Sequence, residues 1–315
     1  MSTTIEKEPL EGVSEGDAFP GERRRQIINL FMHAVLLMVM IATVGVLVWV
    51  LVYVAGQGLK YLGPEFLTQT PPGNPSQPGG GFLNGIIGSL IVTGIATLLS
   101  MPVGIAAAIY LVEYGGQLAR VTRFLTDILV GVPTIVTGAL VYAMWVVFFG
   151  FSGIAGGIAL GLVMLPLVIR STEEMLRLVP RELREASLAL GASKAGTIMS
   201  IVLPTASSGI ITGIMLAFAR AMGETAPLLL TALGNDLFIE LNPTKRMSTL
   251  SLQIFGNAIT GYKAAQARAW AGALTLVAMV LLFTLAARWI ASRTSVGRGR
   301  VTEPRASYCF RSSSK

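Results

Sequence analysis

Six stretches of the chain are apolar over lengths close to the thickness of a lipid bilayer, and this feature limits the possible fold more than any other. The first, residues 27–55, is far longer than the apolar core of a secretory signal peptide, roughly 7–15 residues, so we interpret it as a retained membrane helix. A spanning helix needs about 20 apolar residues. Five further stretches reach or approach that length: residues 82–112, 124–149, 154–169, 205–233 and 270–290. We therefore predict an all-α integral membrane protein with six transmembrane helices.

The overall composition agrees with a membrane protein. Charged residues make up 13% of the 315 positions, whereas soluble domains carry about 25%. The 35 glycines fit membrane helices, in which glycine is commoner than in soluble ones. A single cysteine, Cys309, and a single histidine, His33, provide neither a disulfide framework nor a metal site built from these residue types. We predict no metal and no catalytic site, so the chain is not expected to be an enzyme.

The basic residues are distributed unevenly between the loops. With six spans, 18 of the 24 lysines and arginines fall on the side that holds both termini, and five fall on the other side. Cytoplasmic loops carry an excess of Lys and Arg. We therefore predict a multi-pass protein of the inner or plasma membrane with both termini in the cytoplasm, and interpret the net charge of +7 as a topology signal rather than a sign of nucleic-acid binding.

The same segmentation divides the chain into three parts. Residues 1–26 are predicted to be a cytoplasmic N-terminal tail, residues 27–291 the transmembrane domain, and residues 292–315 a basic, disordered cytoplasmic tail. Glycines spaced by four residues, at 153, 157 and 161 and again at 209 and 213, predict close helix packing in lipid. Residues 234–268 are predicted to hold a short interfacial helix on the outer side.

The predicted cytoplasmic loop at residues 180–204 is too charged to span a membrane and has the pattern of two short helices. Pro180 suits a first helical position, Gly191 a helix stop and Ser193 the cap of a second helix that ends before Pro204. The first helix carries a narrow apolar stripe, formed by Leu183, Ala186, Ser187 and Leu190. Such a helix either docks in a groove of a partner protein or lies on lipid headgroups, and periodicity alone does not decide between them.

Two opposite charges lie four residues apart in the fifth apolar stretch. Arg220 is predicted near the middle of that span, where an arginine costs about 2.5–3.5 kcal/mol on insertion scales, and Glu224 is one helical turn further on the same face. The two form either a structural ion pair or part of a substrate pathway. The planar fork of arginine suits an oxyanion. Pro227 removes the N–H that would bond the carbonyl of Gly223, which predicts a kink and a gate there.

Other charged residues lie near the inner ends of the spans. Arg170 is a second pathway candidate, with an ordinary positive-inside anchor as the alternative. Glu113 and Asp127 are expected to pair with nearby arginines, and no functional role is assigned to them. A solvated position on the cytoplasmic face is expected for the remaining three, Glu173, Glu174 and Arg177.

The loop at 180–204 resembles the EAA loop of ABC-transporter permeases. The family pattern is Glu-Ala-Ala, three residues, Gly, nine residues, Ile, one residue and Leu-Pro. Every spacing fits, and Ser187 replaces the second alanine; the matching residues are Glu185, Ala186, Gly191, Ile201, Leu203 and Pro204. The resemblance implies that the loop is a coupling helix seated in a cleft of a cytoplasmic ATPase.

A wider resemblance covers roughly residues 80–290. The segments "LVEYGG", "LVGVPTIVTGAL", "LPLVIRSTEEMLRLVPRELREASLALGAS" and "ARAMGETAPLLLTA" are similar to permeases of phosphate-specific ABC importers, and "GETAPLL" to their A-type subunit. The resemblance implies the MetI-like permease arrangement and import of inorganic phosphate. It also implies four partners besides membrane lipid: a homologous second permease, two cytoplasmic ATPase subunits and an extracytoplasmic phosphate-binding protein.

No nucleotide site is visible in this chain. "GASKAGT" resembles a phosphate loop but lacks the Gly-Lys-Ser/Thr ending and the preceding strand, so ATP and Mg²⁺ are expected on the partner ATPase. Alternative functions are a permease for molybdate or sulfate and a non-transporting membrane scaffold or sensor. An intramembrane enzyme is a third class, which the lack of a nucleophile–base pair disfavours.

Overall fold

A computed structural model describes residues 22–294, with side chains described for residues 24–290. Within this part of the chain every regular element is a helix. In chain order the helices are α1 (Glu22–Gly58), α2 (Pro64–Thr68), α3 (Leu83–Ile109), α4 (Gly116–Gly131), α5 (Thr134–Val141), α6 (Val147–Phe149), α7 (Gly153–Arg177), α8 (Arg181–Ala189), α9 (Lys194–Thr197), α10 (Leu203–Gly223), α11 (Ala226–Leu229), α12 (Leu250–Ala258) and α13 (Lys263–Thr294). Three π-helical segments continue or join these helices: Tyr110–Tyr114, Tyr142–Val146 and Ile198–Val202.

The described chain forms two compact units, the first ending at Gly56 and the second beginning at Gln57. Within the described residues the first unit consists of helix α1 up to Gly56, and large apolar side chains of this helix are exposed at positions such as Leu30, Leu47 and Trp49. It begins at Glu22, so the last residues of the predicted N-terminal tail are helical. The rest of that tail and the predicted disordered C-terminal tail beyond Thr294 lie outside the described residues.

The six predicted spans correspond to five long helices and one bent pair. Five helices are long and apolar enough to cross a membrane, and α4 with the helix that follows it makes a sixth span only if the two halves, bent by 104°, are counted together. The third predicted span is therefore broken rather than straight. The fourth, predicted to be short, extends over the 25 residues of α7. The fifth was predicted too long, because α10 ends at Gly223.

The core of the second unit lies where α3, α7 and α10 pack together. Glycine allows this approach: a Cβ at Gly157 would lie 2.5 Å from Ile95 Cγ2, and one at Gly104 would lie 2.7 Å from Val168 Cγ1. Gly209 and Gly213 of α10 are equally crowded by side chains of α7. The predicted small-residue packing is confirmed at Gly157, Gly209 and Gly213, where a side chain would separate the helices. A Cβ at Gly153 would instead meet Met247 in a loop, and one at Gly161 would make only ordinary contacts.

The predicted short helix in residues 234–268 is α12, but it is not simply interfacial. Its first four residues are buried, and it packs against α3 and α13. Nearby, Arg268 of α13 donates hydrogen bonds from Nη1 to the carbonyl of Gln77 (2.6 Å) and from Nη2 to that of Pro75 (3.0 Å). This buried arginine fixes the Pro- and Gly-rich loop before α3.

Candidate functional site

Two helix breaks meet in the second unit. The first separates α4 from α5 at Val132 and Pro133, which both adopt extended backbone conformations (ψ 129° and 132°). Proline has no N–H to donate, and it disfavours helical geometry in the residue before it. The sequence Val-Pro therefore ends α4, and the chain restarts as α5 in a new direction.

The second break separates α10 from α11. Helix α10 ends at Gly223, Glu224 is extended (φ −72°, ψ 133°), and Pro227 lies in the first turn of α11. The predicted kink at Pro227 is wrong, because the helix does not bend but stops. Proline is tolerated in a first helical turn, where its missing N–H would have no helical partner. Arg220 consequently lies in the last turn of α10 and not in the middle of a span.

The two breaks are in contact. A Cβ at Gly138 of α5 would lie 2.6 Å from Cα and 3.0 Å from the carbonyl oxygen of Pro227, so glycine is required for α5 and α11 to pack this closely. The Thr134 hydroxyl, at the start of α5, donates a long hydrogen bond to Glu224 Oε2 (3.4 Å). Ser251 of α12 donates from Oγ to the Glu224 carbonyl (2.9 Å). Residues far apart in sequence thus surround Glu224.

Arg220 and Glu224 form an ion pair, as predicted, but a loose one. Their Nε and Oε1 atoms are 3.7 Å apart, and the side chains are 57% and 18% exposed. Among residues 24–290 Arg220 makes no other ion pair or hydrogen bond. A pair this exposed contributes about 0–1 kcal/mol to stability. The guanidinium therefore keeps most of its donors available.

A narrow cavity borders Arg220. Its volume is about 40 Å³, which is space for about three water molecules. Polar groups at its wall come from Thr134, Thr137 and Arg220, and the other lining residues are apolar: Leu129, Val130, Val132, Leu162, Val163, Pro166 and Leu167. The break in the third span and the end of α10 thus form one small chamber with a single cation.

Arg170, the second candidate, lies in a different cavity. Its Nη1 is 2.8 Å from Asp127 Oδ1, and both side chains are more than half exposed. The expected partner for Asp127 is thereby confirmed. This cavity, about 270 Å³, is lined by six charged residues and Thr126, all from α4 and α7. The structure does not bring Arg170 into the chamber beside Arg220.

One acidic residue on this face was placed wrongly. Glu173, expected on a solvated surface, is only 12% exposed and accepts from Arg123 Nε (2.8 Å) and Arg177 Nη2 (2.6 Å). Arg123 also donates from Nη2 to the Leu111 carbonyl (2.8 Å). These contacts join α3, α4 and α7 at one end of the unit.

The loop at 180–204 contains the predicted helix, turn and second helix. Gly191 has φ +85°, the left-handed conformation that glycine adopts at helix ends. Ser193 caps the next helix by accepting from the Gly196 N–H (3.1 Å). Two details differ: α8 begins one residue after Pro180, and the second helix does not end before Pro204. It continues through a π-helical segment into α10, giving one helix from Lys194 to Gly223.

The predicted apolar stripe of α8 is only partly buried. Ser187 is buried and its hydroxyl lies 2.9 Å from that of Thr197, whereas Leu183 and Leu190 are exposed, Leu190 at 90%. The EAA-type residues Glu185 and Ala186 are also exposed. Leu183, Leu188 and Leu190 are exposed in the described part of the chain, whereas Ser187 and Arg184 bind residues of neighbouring elements.

Sequence reasoning missed the contacts of Arg184. This side chain donates to Glu113 Oε1 (3.1 Å), to the Val179 carbonyl (2.6 Å) and to the Leu176 carbonyl (2.7 Å). The expectation that Glu113 pairs with an arginine is confirmed. The partner lies 71 positions away, and no local spacing indicates it.

The family follows from comparison with known proteins. Residues 100–296 match the model of the family described as "Binding-protein-dependent transport system inner membrane component". Two solved structures share the fold at low sequence identity. A bacterial alginate ABC transporter chain gives a TM-score of 0.62 at 14% identity, covering 88% of this chain and 99% of that one. A methionine ABC transporter chain gives 0.55 at 20% identity, covering 67% and 95%. The chain belongs to this family of membrane transport components, with the MetI-like permease fold.

Curated relatives show which members of this family the chain resembles. The phosphate transport system permease protein PstA of Yersinia pestis is 46% identical over 248 residues, which cover 78% of this chain and 83% of that protein. The protein named PstA 1 of Mycobacterium tuberculosis is 45% identical over 226 residues, covering 70% and 74%. Relatives of this degree of identity confirm the resemblance to phosphate permeases.

Proposed function

We propose that this chain is the transmembrane permease subunit of an ATP-driven importer that moves inorganic phosphate into the cytoplasm. The substrate class is supported by the names of its relatives. The observation that carries the mechanism is the exposed Arg220 guanidinium at the junction of two helix breaks. Broken helices at membrane depth are tolerated where they line a cavity, and they mark substrate sites in transporters.

The chemistry of the chamber suits an oxyanion. Arg220 offers up to two parallel hydrogen bonds to phosphate oxygens. Thr134 and Thr137 belong to α5, whose N-terminal end carries the positive end of the helix dipole. Glu224 is the opposing charge. It weakens the contact between Arg220 and a dianion, and passage through a pathway requires binding weak enough for release.

Gly223 and Pro227 define the mobile point in this proposal. They bracket the non-helical residues Glu224 and Thr225, so a small rotation there alters the distance between Arg220 and its carboxylate partner. Arg170 is proposed as a second contact on the route. Its exposed pair with Asp127 can exchange for a pair with a passing anion. The anchor alternative for Arg170 predicts normal uptake after its replacement by lysine.

Besides this chain, the proposed assembly contains three kinds of protein: a homologous second permease, two ATPase subunits that bind ATP and Mg²⁺, and an extracytoplasmic phosphate-binding protein. Membrane lipid surrounds the two permeases. The exposed leucines of α8 and the EAA-type residues beside them support ATPase docking on that surface. The distribution of basic residues supports an orientation with both termini in the cytoplasm.

Phosphate uptake in cells that lack their own high-affinity system tests the proposal. We expect Arg220→Gln to lower the initial rate of phosphate uptake by about tenfold or more, because the variant loses a charged contact that the anion makes during passage. Glu224→Gln is expected to alter the rate less, because the cation remains. Arg120→Gln, at an exposed arginine of α4, is the matched control. Uptake at the control level in both Arg220→Gln and Glu224→Gln, with normal assembly, would leave only a structural ion pair.

Competition identifies the substrate. Arsenate, which resembles phosphate in shape and charge, is expected to inhibit uptake, whereas sulfate and molybdate are not. Stronger competition by sulfate or molybdate than by arsenate would instead favour a permease for another oxyanion.

A further inference from the structure

Arg184 links helix α8 to the ends of two long helices. It lies one residue before the EAA-type triplet, and its side chain is only 18% exposed although Leu183, Leu188 and Leu190 nearby are exposed. Two of its nitrogens donate to carbonyls at and just beyond the end of α7, those of Leu176 (2.7 Å) and Val179 (2.6 Å). Its Nε donates to Glu113 (3.1 Å) in the π-helical segment that ends α3. Three donors of one rigid fork therefore contact two different helices.

The carboxylate partner is as enclosed as the arginine. Arg184 is 18% exposed and Glu113 is 10% exposed. The Glu113 backbone carbonyl in turn accepts a hydrogen bond from Lys194 Nζ, at the first residue of α9. Lys194 also lies 4.3 Å from the centre of the Tyr114 ring, within the range of a cation–π contact. Helix α8 is thus tied through Glu113 to the helix that follows it as well.

A second contact fixes the relative position of α8 and α9. The buried hydroxyls of Ser187 and Thr197 are 2.9 Å apart. Arg184 and Ser187 therefore bind α8 to neighbouring elements, while Leu183, Leu188 and Leu190, in and just after this short helix, are exposed. A helix whose Arg184 and Ser187 are bonded to neighbouring elements while its leucines remain exposed is suited to pass a displacement from a partner to the spans.

We propose that Arg184 is a positioning residue that transmits movement of α8 to α3 and α7 through Glu113 and the carbonyls of Leu176 and Val179. The inference rests on the proposed function, since it assumes an ATPase that moves α8. Because the guanidinium is planar and its donors have fixed directions, the three acceptors fix both the place and the orientation of α8. Lysine keeps the charge but has a compact ammonium on a flexible stem, so it cannot maintain three bonds in fixed directions.

The transmission role differs from a purely structural one in what it predicts. If Arg184 only stabilised the fold, replacement would reduce the amount of assembled complex, and the complexes that remained would be normal. If it transmits movement, assembled complexes would still hydrolyse ATP but move less phosphate for each ATP consumed. The ratio of phosphate transported to ATP hydrolysed, per assembled complex, separates the two.

The experiment uses the full importer in proteoliposomes with binding protein and phosphate. Arg184→Lys is the main variant, and Arg120→Lys is the control, the same replacement at an exposed arginine of α4. We expect Arg184→Lys to lower the transport-to-hydrolysis ratio by about tenfold, the effect of one lost charge-assisted hydrogen bond in the moving state. The control ratio is expected to remain within about twofold of the wild type.

Glu113→Gln provides a milder, isosteric variant for the case in which Arg184→Lys assembles poorly. It retains an oxygen acceptor and leaves both carbonyl bonds of Arg184 in place, and we expect a smaller fall of the ratio, about threefold. Combining the two replacements should be no worse than Arg184→Lys alone, because both act through one linkage.

An unchanged ratio in Glu113→Gln and in the assembled fraction of Arg184→Lys would overturn the proposal. A parallel fall of hydrolysis and transport would also overturn it, since that result indicates lost ATPase docking. Failure of the proposed function gives a different result, because the wild-type complex itself would then show no phosphate uptake.

Discussion

Two arginines of this chain occupy opposite kinds of surroundings. Arg184 is largely buried, and it binds a carboxylate and two backbone carbonyls at 2.6–3.1 Å. Arg220 is 57% exposed and has one long ion pair, 3.7 Å from Glu224. Both lie near the end of a helix, and both have an acidic partner. The two arginines differ in how many of their N–H donors are bonded.

The difference shows that the same type of side chain can hold helices together at one position and bind a transported anion at another. A guanidinium with its donors bonded in several directions holds its neighbours in place, and its removal leaves a buried carboxylate without a partner. A guanidinium with free donors contributes little to stability but can bind a passing anion. The sequence motif around each residue does not reveal this, because both are single arginines in helical segments.

The largest expected effect tests whether the two helix breaks must touch for Arg220 to remain accessible. Gly138→Ala places a Cβ about 2.6 Å from Pro227 Cα, and overpacking of this kind forces backbone shifts costing about 1–3 kcal/mol. We expect the initial rate of phosphate uptake to fall by more than about tenfold. Gly94→Ala is the control, since a Cβ at Gly94 of α3 meets nothing within 4 Å. Equal uptake by the two variants would show that the contact between the breaks does not matter for transport.

A second prediction compares how replacement of Arg184 and of Arg220 changes the stability of the folded protein. Arg184→Met removes three hydrogen bonds and leaves Glu113 buried, so we expect a loss of about 3–5 kcal/mol, seen as a fall of several degrees in the Tm of the detergent-purified protein. Arg220→Met should change stability by no more than about 1 kcal/mol, because that pair is exposed to solvent. The comparison fails if the two variants unfold at the same temperature.

The smallest effect concerns the hydroxyl pair beside Arg184. Ser187→Ala and Thr197→Val each remove one partner of a buried hydrogen bond, with an expected cost of about 1 kcal/mol each. The double variant should cost less than the sum, because the second replacement removes a group that has already lost its partner. Additive shifts of Tm would mean that the two hydroxyls do not interact in solution.

Part of the fold was predictable because it depends on composition over long windows. Lipid requires about 20 apolar residues per helix, and the apolar stretches therefore marked the five long helices and the bent pair. Local motifs were equally informative: Gly191 and Ser193 end and begin helices as expected, because the left-handed conformation and the capping hydroxyl act within a few residues. The Arg220–Glu224 pairing was predicted from a separation of four residues, which a helix end also brings close.

The predicted spans at 205–233 and 124–149 were wrong in their continuity, because hydropathy does not indicate where the backbone leaves a helix. The stretch 205–233 reads as one apolar span, yet the chain leaves the helix at Glu224, and Pro227 starts a new turn instead of bending the old one. The stretch 124–149 hides a similar break at Pro133. In each case apolar residues continue through the break, since they pack on neighbouring helices at this point rather than in a single straight span.

The sequence by itself determined that the chain is a helical membrane protein, the number of its apolar stretches and the EAA-type loop, because each of these depends on residues near one another along the chain. Only the tertiary structure decided which arginine is bound through three donors and which is exposed with one long ion pair. Arg184 acquires its partner 71 positions away and Glu224 acquires Thr134 from 90 positions away. Such contacts depend on how α3, α5, α7 and α10 pack, and helix packing is set by the shapes of all the facing side chains together.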